Sequence, residues 1–179
     1  HVIVCIGTGT SRDGNGLNNN FFGRNAGARN TYGDNNLCLG FQAGLSNTRG
    51  KSNIFSGFRA GYNNTSGNNN IFSGFSAGHY NTTGLNNIFS GAYAGYLNTL
   101  GNDNVFSGYQ AGYSNTAGYT TVFSVAYASY NNTYRNVTSF SAYYSCFNYS
   151  PVRVNFFSVR SAGFFTSFCP FSYPHLTLP

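Results

Sequence analysis

Apolar and polar residues recur along this chain with a fixed spacing of 17. Ile54 opens IFSGFRAGYNNTSGNNN, Ile71 opens IFSGFSAGHYNTTGLNN, Ile88 opens IFSGAYAGYLNTLGNDN and Val105 opens VFSGYQAGYSNTAGYTT. Asn20 and Leu37 open earlier copies, Val122 a later one, and Ile3, Ser139 and Phe156 weaker ones. About ten copies run from residue 3 to residue 172, ahead of a seven-residue tail. With Ile54 as column one, column two reads Phe21, Cys38, Phe55, Phe72, Phe89, Phe106, Phe123, Phe140 and Phe157. Column four is Gly from Gly23 to Gly108, and columns seven and eight are Ala-Gly from Ala26-Gly27 to Ala111-Gly112. Column nine is mostly aromatic, as at Tyr62, Tyr96, Tyr113 and Tyr130, and columns eleven and twelve are mostly Asn-Thr. Column fourteen is Gly from Gly16 to Gly118.

Self-similarity at a fixed short period is the mark of a stacked architecture. The apolar segments, such as Ile54-Phe55-Ser56, are strand-length, and 17 residues with three or more Gly cannot hold a helix pair. The pattern predicts an all-β solenoid (β-roll or β-helix) of about ten coils, one repeat per coil, with paired strands about 4.8 Å apart. Its length would be roughly 48 Å. Three Gly columns are expected at φ > 0 corners, with Asn-Thr-x-Gly as turn chemistry. Residues 1–19 read as a weak first coil or N-terminal cap and 20–121 as the regular solenoid. Residues 122–172 read as degenerate repeats and 173–179 as a Pro-rich tail. Column four turns to Val125, Ala142 and Val159 late in the chain, so coils after residue 122 are expected to differ in shape. The segment from Pro170 holds three of the four Pro and is not expected to form another central strand.

Alternation within the strand must put columns one and two on opposite faces. Ile54, Ile71, Ile88, Val105 and Val122 are expected inside with the Ala column. That would leave Phe55, Phe72, Phe89, Phe106 and Phe123 in an outer row, with Tyr62, Tyr96, Tyr113 and Tyr130 as further stacking or interface aromatics. A Phe row that long is too large an apolar patch for a monomer. Either it is an oligomer interface, or Phe is inside and Ile outside.

The pattern N-x-F-x-G-x-x-A-G-x-x-N-T-x-G, clear over residues 20 to 118, resembles the repeats of phage and bacterial tail-fibre-like proteins. It is similar, more loosely, to the β-roll heads of trimeric autotransporter adhesins. The resemblance implies an extracellular fibrous protein, often oligomeric and often adhesive, whose repeats carry surface rather than catalysis.

Composition narrows the chemistry. The chain has 179 residues, 9 Lys+Arg against 3 acids, all Asp, and a net charge of +6. Paired-carboxylate catalysis and calcium-binding repeats lack the side chains they need. Cys5, Cys38, Cys146 and Cys169 show no CxxC spacing, so no zinc site is expected. No GxSxG or Asp–His pairing suggests a hydrolase, and His79 falls in the aromatic column nine. No enzyme activity, metal or cofactor is expected. The cations scatter over several columns, which argues against a phosphate-tracking stripe and a specific nucleic-acid partner. No apolar run approaches the roughly 20 residues that span a bilayer. With no Met, the chain is expected to be a mature form, a fragment or a sequence assigned some other way.

The Asn column (Asn30, Asn47, Asn64, Asn81, Asn98, Asn115, Asn132) reads as a buried amide ladder, each side chain bonding the next. Glycosylation triplets occur at Asn63, Asn64, Asn81, Asn131, Asn136 and Asn148. Ladder and sugar exclude each other at any one Asn, so sugar is expected on column ten, beside the ladder. The function expected is a structural subunit of an extracellular fibre, at a cell or virion surface, self-assembling through solenoid ends and aromatic faces. The alternatives are a carbohydrate-binding adhesin or tail-fibre stalk and, from the Thr column Thr31 to Thr133, an ice-binding solenoid.

Overall fold

A computed structural model of the chain describes residues 16–128 in full. It also describes residues 7–9, 131–132, 136–140, 148–149 and 155–157 as backbone strands. The architecture is an all-β solenoid with one repeat per coil. Its strands are β1 (Gly7–Gly9), β2 (Asn19–Phe22), β3 (Leu37–Leu39), β4 (Ile54–Ser56), β5 (Ile71–Ser73), β6 (Ile88–Ser90), β7 (Val105–Ser107), β8 (Tyr119–Phe123), β9 (Asn131–Asn132), β10 (Asn136–Phe140), β11 (Asn148–Tyr149) and β12 (Asn155–Phe157). Strands β2 to β8 lie side by side in sequence order, all parallel, each residue paired with the one 17 further on. β10 and β12 extend the same sheet in the same register, Phe123 to Phe140 to Phe157. β1 instead pairs antiparallel with β2, Gly7 opposite Phe21. It therefore occupies the edge against which a preceding parallel coil would stack.

The core is the reverse of the Ile-inward expectation. Phe55, Phe72, Phe89, Phe106 and Phe123 are 0% exposed and lie with Ala43, Ala60, Ala77, Ala94 and Ala111. Ile54, Ile71, Ile88 and Val122 face out, at about two-fifths exposure, and Val105 is half-buried on the same outer row. The physical reason is the width of a 17-residue coil. Its interior admits one flat ring per level, and flat rings stack at the strand spacing: Phe72–Phe89 and Phe89–Phe106 are both 4.7 Å apart, tilted by 6° and 3°. A β-branched Ile cannot stack in that way. The ring also fills the space beside column eight, where a Cβ on Gly78 would sit 2.5 Å from the Phe72 ring. Each buried Phe contributes about 1.5–3 kcal/mol of transfer free energy and each stacked pair about 0.5–1.5 kcal/mol more. Cys38 takes the ring's place one level below Phe55; its thiol is buried, and desolvation pushes its pKa far above the ordinary range.

The corners differ from expectation too. Column four (Gly74, φ 138) and column eight (Gly78, φ 58) have positive φ, but column fourteen does not. Gly84 is required there for room, because a Cβ would strike the Asn81 Oδ1 and the Gly101 carbonyl. Two non-Gly columns are also left-handed. Column sixteen (Asn69, φ 57) is rich in Asn, which tolerates this region. Column six holds Arg59 (φ 54) and Tyr93 (φ 58), which do not favour it. Hydrogen bonds between coils hold them there, as from Arg59 N to the Phe41 carbonyl at 2.9 Å.

Beyond the regular stack the coils change shape. β8 and β10 are five residues long where β3 to β7 are three, and β9 and β11 form a second, two-stranded parallel sheet. The change begins at the coil where Val125 replaces the column-four Gly. The tail from Pro170 and the copy opening at Ile3 lie outside the described residues.

Candidate functional site

The Asn column of the sequence reading forms a ladder. Asn30, Asn47, Asn64, Asn81, Asn98 and Asn115 are buried. From Asn47 to Asn115 each Nδ2 donates to the Oδ1 one coil below, as from Asn64 to Asn47 at 2.7 Å and from Asn81 to Asn64 at 2.8 Å. The other amide hydrogen goes to the column-fourteen carbonyl of the same coil, from Asn64 to Gly67 at 3.0 Å. A second ladder, which the sequence reading missed, runs through column seventeen: Asn19, Asn36, Asn53, Asn70, Asn87 and Asn104. Asn70 Nδ2 donates to Asn53 Oδ1 at 3.2 Å and to the Gly84 carbonyl of the next coil at 2.8 Å. Gly84 thus accepts from both ladders, since Asn81 Nδ2 reaches it at 3.2 Å. In both ladders the amide of the later coil donates to the amide of the coil before it, so the donor of each pair is the C-terminal partner. Thr121 ends the second, its hydroxyl bonding the Asn104 side chain.

These bonds decide where a sugar has room. Asn64 and Asn81 are fully buried with both amide hydrogens donated, so a glycan on either is incompatible with the folded coil. Asn63, in column ten, is half-buried at the surface. The side chains of Asn131, Asn132, Asn136 and Asn148, and all of Tyr130, lie outside the described residues.

The Thr column is turned onto the stack. Thr31, Thr48, Thr65, Thr82 and Thr99 each donate the hydroxyl to the Thr carbonyl one coil above, at 3.0–3.1 Å. Their flank and the column-ten side chains Arg29, Ser46, Asn63 and Tyr80 line an open groove along the axis, with a volume of about 460 Å³.

Column nine is a second aromatic stack. Tyr62 and His79 lie 4.9 Å apart, His79 and Tyr96 5.2 Å, Tyr96 and Tyr113 5.0 Å. Outside it, Phe41, Phe58 and Phe75 stack at 5.3 and 4.9 Å. The Tyr96 phenol is pushed up by burial first, then by the Tyr80 and Tyr113 phenols, a side-chain hydrogen bond with Tyr80, and Tyr93. His79 is 7% exposed and its Nδ1 has no hydrogen-bond partner. Burial lowers its pKa, the Arg59 charge lowers it further, and a backbone hydrogen bond at Arg59 opposes them.

His79 therefore stays neutral in the folded chain at pH values where an unfolded histidine, with its ordinary value of 6.5, already takes up a proton. The unfolded state binds more protons in that window, so stability is full above it and falls as the pH drops through it. Denaturant midpoints for the wild type and His79→Tyr, which restores the column's usual residue, are expected to differ in pH dependence below about 6.5. Parallel curves would show that His79 does not titrate with folding.

Charge is sparse. Lys51 Nζ bridges Asp34 Oδ2 at 2.8 Å, and that bond, with a backbone bond from Leu17, holds the Asp34 carboxyl below its usual range. Arg59 bonds the Gln42 side chain and lies 5.1 Å over the Phe58 ring. Among the described residues no His/Cys/Asp/Glu group is placed to hold a metal, and no helix is long and apolar enough to cross a membrane. Comparison of the chain with protein-family models, curated proteins and solved structures gave no match.

Proposed function

We propose that the chain is a structural subunit of an extracellular fibre or surface appendage, assembling side by side with its own copies. The observation that carries this reading is the outer face of the sheet. Ile54, Ile71 and Ile88 form one row on it, 40–42% exposed, and Phe58 and Phe75 form a second exposed, stacked row past the column-four corner. Exposed apolar rows on a rigid rod favour burial against another surface. A second copy offers the same rows at the same strand spacing, so side chains can interdigitate level by level. The ladders add rigidity along the axis, which a fibre subunit needs and a flexible linker does not have.

The test replaces the row without disturbing the core. Ile54→Lys, Ile71→Glu and Ile88→Lys together alternate charge across neighbouring strands, which parallel pairing tolerates. The wild type is expected to form oligomers or filaments by light scattering and electron microscopy. The triple variant should keep the β circular dichroism and remain monomeric. A wild type that stays monomeric at high concentration, or a variant that assembles unchanged, removes the proposal.

A further inference from the structure

Tyrosines cluster on one side of the coil stack. Tyr62, Tyr96 and Tyr113 belong to the column-nine stack with His79, and Tyr80, Tyr93, Tyr109 and Tyr127 pack around it. Tyr80 and Tyr96 lie 5.2 Å apart with rings nearly perpendicular, at 87°. Tyr80 also meets His79 edge to face, at 4.7 Å, so it packs between the two rings. The cluster continues from Tyr96 to Tyr93 at 5.6 Å and from Tyr93 to Tyr109 at 6.2 Å. Tyr32 and Tyr119 are more exposed than Tyr80, at 53% and 42% against 40%, but among the described residues neither ring packs against another tyrosine.

We propose that Tyr80 and Tyr96 form a site of oxidative cross-linking, joined carbon to carbon into a dityrosine that staples two neighbouring coils. At a centroid separation of 5.2 Å the edge of one ring meets the face of the other, so a small turn of the Tyr80 side chain brings together carbons ortho to the two oxygens, the positions that couple. Tyr80 reaches solvent in column ten and can turn its ring edge, while Tyr96 is held by the stack. Holding one partner beside the other replaces a chance encounter of two radicals by a local one.

The reaction needs a one-electron oxidant of the peroxidase–hydrogen peroxide class. It removes one electron and the phenolic proton from each tyrosine. The two phenoxyl radicals form a bond between ortho carbons, and each of those carbons then passes its hydrogen to the ring oxygen, restoring two phenols. Two electrons and two protons leave in all and convert one hydrogen peroxide into two waters. The product is a covalent modification of the surface, which goes beyond the fibre reading and does not depend on it.

The experiment treats dilute, folded full-length chain with peroxidase and limiting hydrogen peroxide, then maps cross-linked peptides by mass spectrometry. The expected product is a single chain that has lost two hydrogens, with Tyr80 joined to Tyr96. Tyr80→Phe keeps the ring and should lose that peptide pair and most of the dityrosine fluorescence. Unfolding the wild type in denaturant before oxidation should scatter the cross-links. Coupling mainly at Tyr32 and Tyr119, absence of dityrosine in the folded chain, or an unchanged yield in Tyr80→Phe would each overturn the site. The wild-type peptide map decides the question even where the variant folds poorly.

Discussion

Asn70→Leu is expected to destabilise the solenoid by about 4 kcal/mol, although Leu is close to Asn in shape and more apolar. Asn70 Oδ1 accepts from the Asn87 backbone N–H at 2.9 Å and from Asn87 Nδ2 at 3.1 Å. Both donors are buried, and with Leu at position 70 the backbone N–H has no acceptor left. Each buried donor left unmade costs about 1–3 kcal/mol. The acceptors opposite are better protected. Asn53 Oδ1 keeps the backbone N–H of residue 70, and the Gly84 carbonyl keeps Asn81 Nδ2. The loss is therefore directional: it falls on the coil toward the C-terminal end, where the donors are, and spares the coil below. Hydrogen exchange should show early opening at Asn87 with slower change at Asn53, alongside the fall in denaturant midpoint. A loss under about 1 kcal/mol, or equal opening on both sides, would contradict the ladder's polarity.

The same residues show how far the sequence could be read. The period, the parallel 17-residue register and the first ladder are legible because they are column properties. A residue type that recurs at every level can be explained by stacking alone. Column seventeen carried the same signal, since Asn19, Asn36, Asn53, Asn70, Asn87 and Asn104 recur without interruption while columns fifteen and sixteen vary. It was hidden by composition: in runs such as Asn68-Asn69-Asn70, a constant Asn reads as one more turn residue. The direction of the strand was not legible, because alternation separates Ile from Phe without saying which is inside. Ring stacking at the coil spacing decides that, and it is a property of packing. Column six was legible least of all. Asn25, Gln42, Arg59, Ser76, Tyr93, Gln110 and Tyr127 share no preference for φ > 0, yet all adopt it under the pull of bonds between coils. The tyrosine cluster is in part a consequence, since this backbone turn puts Tyr93 and Tyr127 where their rings meet Tyr96 and Tyr109.

Gly74→Val should disrupt the stack more than a change of one surface residue suggests, with an expected loss of at least about 3 kcal/mol. Two costs add at this position. The φ of 138° lies where L side chains are rarely found, at a strain of about 1–3 kcal/mol. A Cβ would also sit 2.5 Å from the Gly91 carbonyl oxygen of the next coil. That neighbour is backbone, held by its own place in the stack, and cannot swing aside as a flexible side chain would. Relief requires the two coils to separate or the corner to change conformation. The chain itself shows the second route. At Val125 the same column carries a side chain, and the strands on either side lengthen to Tyr119–Phe123 and Asn136–Phe140. Val is thus compatible with a solenoid, but with a coil of another shape, and a single such coil between regular neighbours has no matching edge on either side. The neighbours should therefore open with it, since each repeat is stabilised mainly by the ones it touches. Gly74→Ala is the informative companion, because it keeps the strain and the Cβ contact without β-branching. If Ala leaves the denaturant midpoint unchanged, neither the backbone conformation nor the close approach to Gly91 constrains this column, and the Gly there has some other cause.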